Sequence, residues 1–185
     1  MIGNAIAGFL GLVGAPVVAT SFESIATTTV GASPVSSISF TSIPATFTHL
    51  QIRYSALNSL ADNHKMQFNS DTASNYSWHE LYGDGTAAAA ASGSNQTFIK
   101  ASYAGTTTAS FTNGIIIDIL DYANTNKYKT TRSLAGVSIN AAGGYSFLRT
   151  GNWRNTAAIT SIQITPITGN FTQYSSFALY GIKGA

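Results

Sequence analysis

Apolar and polar side chains alternate with a period of two over most of the chain, and this pattern most narrows the folds open to it. Leu50, Ile52 and Tyr54 alternate with polar neighbours, and so do Ile162 and Ile164. Successive side chains of a strand point to opposite faces, whereas a helix repeats every 3.6 residues. The pattern predicts half-buried β-strands, with Leu50, Ile52, Ile162 and Ile164 facing a core.

Two stretches depart from this alternation. Ile115, Ile116 and Ile117 follow one another directly, which predicts a central strand that is covered on both faces. The alanine tract at residues 87–91 lies between glycines, and we interpret it as a flexible loop.

Turn-forming residues separate the candidate strands, at Gly31, Ser42 to Pro44, Gly83 to Gly85, Asn113-Gly114, Gly143-Gly144 and Gly169-Asn170. About eight to eleven strands fit between them, which is the number that a double-sheet jelly roll uses. We therefore predict an all-β fold, an antiparallel β-sandwich of jelly-roll type formed by residues 21–185 and preceded by a short apolar arm or helix.

Residues 1–20 form this apolar, Gly/Ala-rich lead, which we call the N-terminal assembly segment. Gly3, Ala7 and Gly11 recur every fourth residue, a spacing that lets helix backbones approach closely. An extended arm against the same or a neighbouring subunit fits the composition equally well. In both cases we expect its apolar side chains to be buried in an assembly: Ile2, Ile6, Phe9, Leu10, Leu12 and Val13.

The same segment argues against two other readings. Asn4, Pro16 and several glycines interrupt it, so that it is a poor membrane span. No Lys or Arg precedes the apolar stretch, which disfavours a secretory signal peptide.

Charged residues make up only 9% of the chain, against roughly 25% in an average soluble domain. A surface of neutral hydroxyls and amides costs little to dehydrate, which favours a subunit of a large assembly. The net charge of +2 is too small to predict nucleic-acid binding. The absence of cysteine excludes disulfides and thiolate chemistry.

Several phrases of the sequence resemble those of virion structural proteins of tailed bacteriophages, especially phages of cyanobacteria and marine bacteria. They are NYSWH at residues 75–79 with LYG at 81–83, IDILDYANTNKYK at 117–129, WRNTAAI at 153–159, FALYGIK at 177–183, FESIA at 22–26 and SFTSIP at 39–44. The resemblance spans residues 22–185 and leaves out the N-terminal assembly segment.

The resemblance implies a non-enzymatic virion component that forms a homo-oligomer, most simply a trimer, with other virion proteins as partners. The resemblance does not indicate in which part of the particle the protein lies. A tail fibre or similar appendage is our first expectation, and a capsid decoration or cement protein is the alternative.

The titratable residues give no pattern for catalysis, a metal or a cofactor. His49, His64 and His79 lack the spacing of metal ligands, and His79 and its neighbour Glu80 must point to opposite faces of a strand. No nucleophile elbow, phosphate loop or dinucleotide fingerprint occurs. We predict a protein that is not an enzyme and holds no cofactor.

Asp118 and Asp121 are the strongest carboxylate pair. A separation of three would place them on opposite faces of one strand, so a turn near Asp121 is the better interpretation. A buried Asp118 then needs a donor, and Arg132, Arg149 and Arg154 are the candidates. We favour a structural ion pair over an acid/base site.

Oxygen ligands cluster at Asn69, Asp71 and Asn75, with Asp84 in a glycine-flanked turn. Ligands of this kind could hold calcium, but the spaced acidic pattern with a terminal Glu is missing, which favours a turn-rich loop without metal.

Tyr76, Trp78 and Tyr82 fall on alternate or near-alternate positions of a predicted strand. If the three rings are exposed, they predict a sugar-stacking face and a carbohydrate-binding, host-recognition module. If they are buried, they are ordinary core residues of a sandwich. Their exposure therefore separates recognition of a host surface glycan from assembly.

Overall fold

The computed structural model describes residues 21–104, 113–138 and 143–184. These residues form strands at β1 Phe22–Thr29, β2 Ile38–Phe40, β3 His49–Ser55, β4 Asp62–Phe68, β5 Tyr76–Gly83, β6 Ala88–Gln96, β7 Ile99–Ala104, β8 Gly114–Leu120, β9 Lys129–Ser138, β10 Gly144–Trp153, β11 Ile162–Pro166 and β12 Ser176–Ile182. No helix that could cross a membrane is found among them. The N-terminal assembly segment lies outside the described residues.

Two antiparallel sheets confirm the predicted all-β sandwich. The large sheet has eight strands in the order β1-β12-β3-β8-β9-β10-β5-β6, and the small sheet has four in the order β2-β11-β4-β7. If the β5–β6 and β9–β10 hairpins are set aside, the chain alternates strictly between the sheets from β1 to β12. This alternation, with the orders β1-β12-β3-β8 and β2-β11-β4-β7, is the connectivity of a jelly roll.

The two hairpins are insertions that widen only the large sheet. Strand β9 pairs with β8, and β10 pairs with both β9 and β5, so that β6 becomes the free edge. The large sheet therefore has two halves. The jelly-roll half consists of β1, β12, β3 and β8, and the hairpin half consists of β9, β10, β5 and β6.

The core lies between the sheets, as the alternation predicts. Leu50 and Ile52 on the large sheet and Ile164 on the small one are 0% exposed, and Ile162 is 1% exposed. Burial of these side chains on facing layers supplies the main hydrophobic stabilisation of the fold.

Strand β8 corrects one expectation. Ile115 and Ile117 are buried, but Ile116 is 39% exposed, because nothing in the described part of the chain covers the outer face of the large sheet. The prediction of a strand covered on both faces was wrong.

Strand β6 corrects another. The alanine tract at residues 87–91 is not the predicted flexible loop: residues 88–91 belong to β6, which pairs with β5 as an edge of the large sheet. Small side chains suffice there, because the ladder of backbone hydrogen bonds holds the strand and no core contact is required.

Candidate functional site

A row of large aliphatic side chains crosses the outer face of the large sheet. Strand register places Ile116 beside Leu134, Leu134 beside Leu148, and Leu148 beside Leu81. Their exposed fractions are 39, 60, 47 and 54%, respectively. We call these four residues the ridge. Sequence reasoning missed it because a period of two does not say which face is covered.

A row of small residues runs beside the ridge, two positions away along each strand. Register places Gly114 beside Gly136, Gly136 beside Ser146, and Ser146 beside Gly83. We call these four residues the trough. It forms part of a groove of about 780 Å³, with Ile116 and Leu134 in its lining, and a second groove of about 370 Å³ continues past Ser146 to Gly83.

A polar row borders the other side of the ridge. Asp118 accepts hydrogen bonds from Gln51 Nε2 at 2.7 Å and Arg132 Nη2 at 2.8 Å. Burial pushes the pKa of Asp118 upward, but these two bonds and the charge of Arg132 hold it below its ordinary value. The half-buried carboxylate is thus paired with one of its three candidate donors.

The two predicted aspartates do not converge. Asp121 follows β8 in a left-handed backbone conformation with φ of 48°, which confirms the turn. It contacts Lys127 and His49 instead. The hydrogen bond from Lys127 lowers the pKa of Asp121. Neither carboxylate has the other as an acid/base partner.

An aromatic corner ends the outer face beside β1. Phe22 stacks on Tyr180 with ring centroids 4.7 Å apart. The guanidinium carbon of Arg53 lies 5.3 Å from the Phe22 centroid and 5.9 Å from that of Tyr180. These cation–π contacts hold the Arg53 guanidinium over the two rings, at the side of the groove.

The proposed sugar-stacking residues lie on the inner face of the same sheet. Tyr76 is 0% exposed and packs against Phe68 and Trp153. Trp78 and Tyr82 are half-buried against the core. Because Tyr76 is enclosed, the three rings do not form one exposed stacking surface.

An ionic cluster, which sequence reasoning missed, joins the two sheets next to these rings. Glu80 accepts from Arg149 Nε at 2.8 Å and from Lys100 Nζ at 2.7 Å, while Arg149 Nη2 donates to Asn63. Arg149 is 1% exposed, and burial lowers the pKa of its guanidinium although Glu80 opposes this. His79, adjacent to Glu80, is exposed, as predicted for neighbours on a strand.

A second polar cluster superficially resembles a nucleophile with a histidine base. Ser102 Oγ lies 2.8 Å from His64 Nδ1, and Asn58 Nδ2 lies 2.9 Å from His64 Nε2. Tyr54 Oη also contacts His64 Nδ1, at 3.0 Å. His64 and Ser102 are 0% exposed, so a substrate cannot reach them. Burial lowers the pKa of His64 to about 3 and raises the pKa of Tyr54, which keeps both groups neutral.

The candidate calcium ligands bond to the chain itself. Asp71 accepts from Trp153 Nε1 at 2.8 Å and from Asn75 Nδ2 at 3.0 Å, while Asn69 Oδ1 accepts from the Thr160 amide. Asp84 accepts hydrogen bonds within its own turn, and these lower its pKa to about 2. Within residues 21–104, 113–138 and 143–184, no group of three His, Cys, Asp or Glu side chains could hold a metal.

Comparison with known proteins adds no identity: no family model matches the chain, and no curated protein matches it.

Proposed function

We propose that the chain is a non-enzymatic structural protein of a phage virion, an oligomeric component of a tail fibre or similar appendage. The ridge carries this proposal. Soluble monomers rarely expose contiguous large aliphatic residues in such a row, and a polar border around them is typical of a protein–protein interface. Ile116, Leu134, Leu148 and Leu81 form such a row on adjacent strands.

The chemistry of the surrounding surface supports assembly. Only 9% of the residues are charged, so a partner can cover the outer face without dehydrating many ionic groups. Asp118 is already paired with Arg132 beside the ridge. The resemblance of residues 22–185 to virion proteins of tailed phages points to the particle as the place of assembly.

Two other functions are less well supported. A capsid decoration or cement protein would use the same ridge and differs only in its position on the particle. Binding of a host glycan is favoured less, because the ring of Tyr76 is enclosed between the sheets. The N-terminal assembly segment would add a second contact with neighbouring virion proteins in either structural role.

Electron microscopy of purified particles tests the proposal. Antibodies raised against the chain, detected with gold, should label intact phage at the tail, and pre-immune serum should not. Label on the capsid would instead assign the decoration role. Particles that carry the gene but contain no labelled protein, with none detected by mass spectrometry, would overturn a virion function.

A further inference from the structure

We propose that the ridge and trough of the large sheet bind a second copy of this chain, outer face to outer face, about a two-fold axis that crosses the strands between the two rows. This inference rests on the proposed function as an assembly subunit and names the partner of its surface. It makes the smallest assembly a dimer rather than the trimer expected from the resemblance.

The ridge and the trough are complementary in shape. On each of four strands a ridge residue lies two positions from a trough residue: Ile116 and Gly114, Leu134 and Gly136, Leu148 and Ser146, Leu81 and Gly83. Residues two apart on a strand share a face and are about 6.8 Å apart. Half a turn about an axis midway between the rows places each ridge over the other copy's trough.

Such a contact is self-complementary at every strand. Leu134 lies over the partner's Gly136 while Gly136 receives the partner's Leu134, the reciprocity that a two-fold interface requires. Each strand packs against the same strand of the partner. The strands of a sheet twist about a direction that crosses them, and the proposed axis has this direction. The strands of the two copies therefore stay aligned over the whole contact, as they do in β-sandwiches.

The trough has room for the incoming side chains. Among the described residues, and apart from its own chain neighbours, a Cβ added at Gly114 would meet no atom within 4 Å, and one added at Gly136 would meet only the Tyr145 carbonyl oxygen, at 3.5 Å. Neither glycine has a positive φ, so its backbone accepts a larger residue. Within the described residues, the chain does not fill its own trough.

Charge and area are compatible with self-association. The ridge and trough residues are neutral, and Asp118 and Arg132 neutralise each other in the adjacent row. The two-fold axis pairs rows on its two sides, so the contact comprises the ridge, the trough and one flanking row beside each. At about 4.8 Å per strand and 6.8 Å per row, these four rows cover roughly 650 Å² over the five strands from β3 to β5, and roughly 1,000 Å² over all eight. Stable interfaces bury about 800 Å² per partner.

Sedimentation of the full chain over a range of concentrations tests the pairing. We expect a concentration-dependent dimer, with at least tenfold weaker association in Leu134→Glu. The decisive variant is Gly114→Leu, which adds apolar surface yet blocks the partner's ridge, so it should also weaken the dimer at least tenfold. Gln163→Leu, which adds a leucine to the outer face of the small sheet, should leave association unchanged.

If the ridge associates only through non-specific hydrophobic contact, without fitting into the partner's trough, Gly114→Leu should strengthen association. That outcome overturns the inference. A trimer, or a monomer at all concentrations, overturns it too. A monomer in which a spin label at residue 134 is immobile would assign the ridge to the N-terminal assembly segment instead.

Distances between copies test the axis itself. The chain has no cysteine, so Thr130→Cys or Ser138→Cys each provides a single spin-label site on β9. The axis passes over residue 135, five residues from one site and three from the other. At about 3.4 Å per residue, we expect separations of about 35 Å and about 20 Å. Equal separations would place a two-fold axis along the strands and contradict the proposal.

The two proposals fail separately. Labelled particles together with a monomeric chain would remove the dimer and keep the virion function. A dimer with the expected distances, but no chain in the particles, would do the reverse.

Discussion

The two halves of the large sheet use their faces in opposite ways. In the jelly-roll half the buried inner face is largely apolar: it contains aliphatic side chains such as Leu50, Ile52 and Ile117, together with the stacked rings of Tyr54 and Phe177. In the hairpin half the inner face includes Glu80 and Arg149, joined across the sheets to Lys100 of β7. The leucines of the hairpins, on the other hand, face outward.

This difference shows that the hairpin half is held to the small sheet by ion pairs and rings as well as by aliphatic packing. Lys100 lies over the Trp78 ring at 4.8 Å, and Tyr82 stacks on Phe147. Because these groups fill the inner face, the outward leucines have no role in the described core. Their position is best explained by an external contact, which is the reason for assigning assembly to this face.

The largest effect is expected from Glu80→Gln in the hairpin half. Removing the carboxylate leaves Arg149, 1% exposed, without its counter-ion, and breaking a buried pair costs about 3 to 5 kcal/mol. Urea unfolding measures the change. Glu23→Gln is the matched control, because its pair with Lys183 is more than one-third exposed and worth about 0 to 1 kcal/mol. Equal effects would show that the buried cluster does not stabilise this half.

Next in size is a comparison of Ile117→Ala with Ile116→Ala, two neighbours on β8 that are 1 and 39% exposed. The first change creates a cavity in the core and should cost about 2 to 5 kcal/mol. The second should cost less than about 1 kcal/mol in the monomer, since its side chain remains partly in water. Thermal melting at low concentration measures both. Similar losses would mean that the outer face is covered within the monomer.

A smaller effect, spread over pH, is expected from His64 beneath the jelly-roll half. Its folded pKa of about 3 lies below the ordinary value of about 6.5, so between these values the unfolded chain binds a proton that the folded chain does not. Stability is full above pH 6.5 and falls as pH decreases, by up to about 1.4 kcal/mol per pH unit.

Unfolding free energies between pH 7 and about 5 measure this slope, above the range in which Asp71, Asp118 and Asp121 begin to contribute. His64→Gln should be less stable at neutral pH but should lose the slope. A slope that persists in the variant would assign the protons to other groups.

The sequence was sufficient to predict the fold class, because alternation at Leu50 and Ile52 and at Ile162 and Ile164 reports burial directly. It also predicted the turn near Asp121 and an ion pair of Asp118 with one of three arginines, of which Arg132 is the partner in the structure. These features follow from local chemistry. The turn follows from the spacing of Asp118 and Asp121, and the ion pair follows from a buried carboxylate that needs a donor.

The ridge and the ionic cluster could not be predicted, since both depend on pairings far apart in sequence. Leu81 meets Leu148 only after β5 and β10 pair, and Glu80 meets Arg149 in the same register. Nothing in the sequence near Leu134 distinguishes an outward leucine from an inward one.

The place of the last strand has a consequence for biosynthesis. β12 lies between β1 and β3, so that Phe22 pairs with Ile182, near the end of the chain. Among the described strands β1 pairs only with β12, so during translation it has no such neighbour to join until β12 has left the ribosome. The small-sheet strands and the hairpins can associate earlier, but the large sheet closes only once β12 has been synthesised. Until then β3 presents an uncapped sheet edge, which is a template for pairing with other chains.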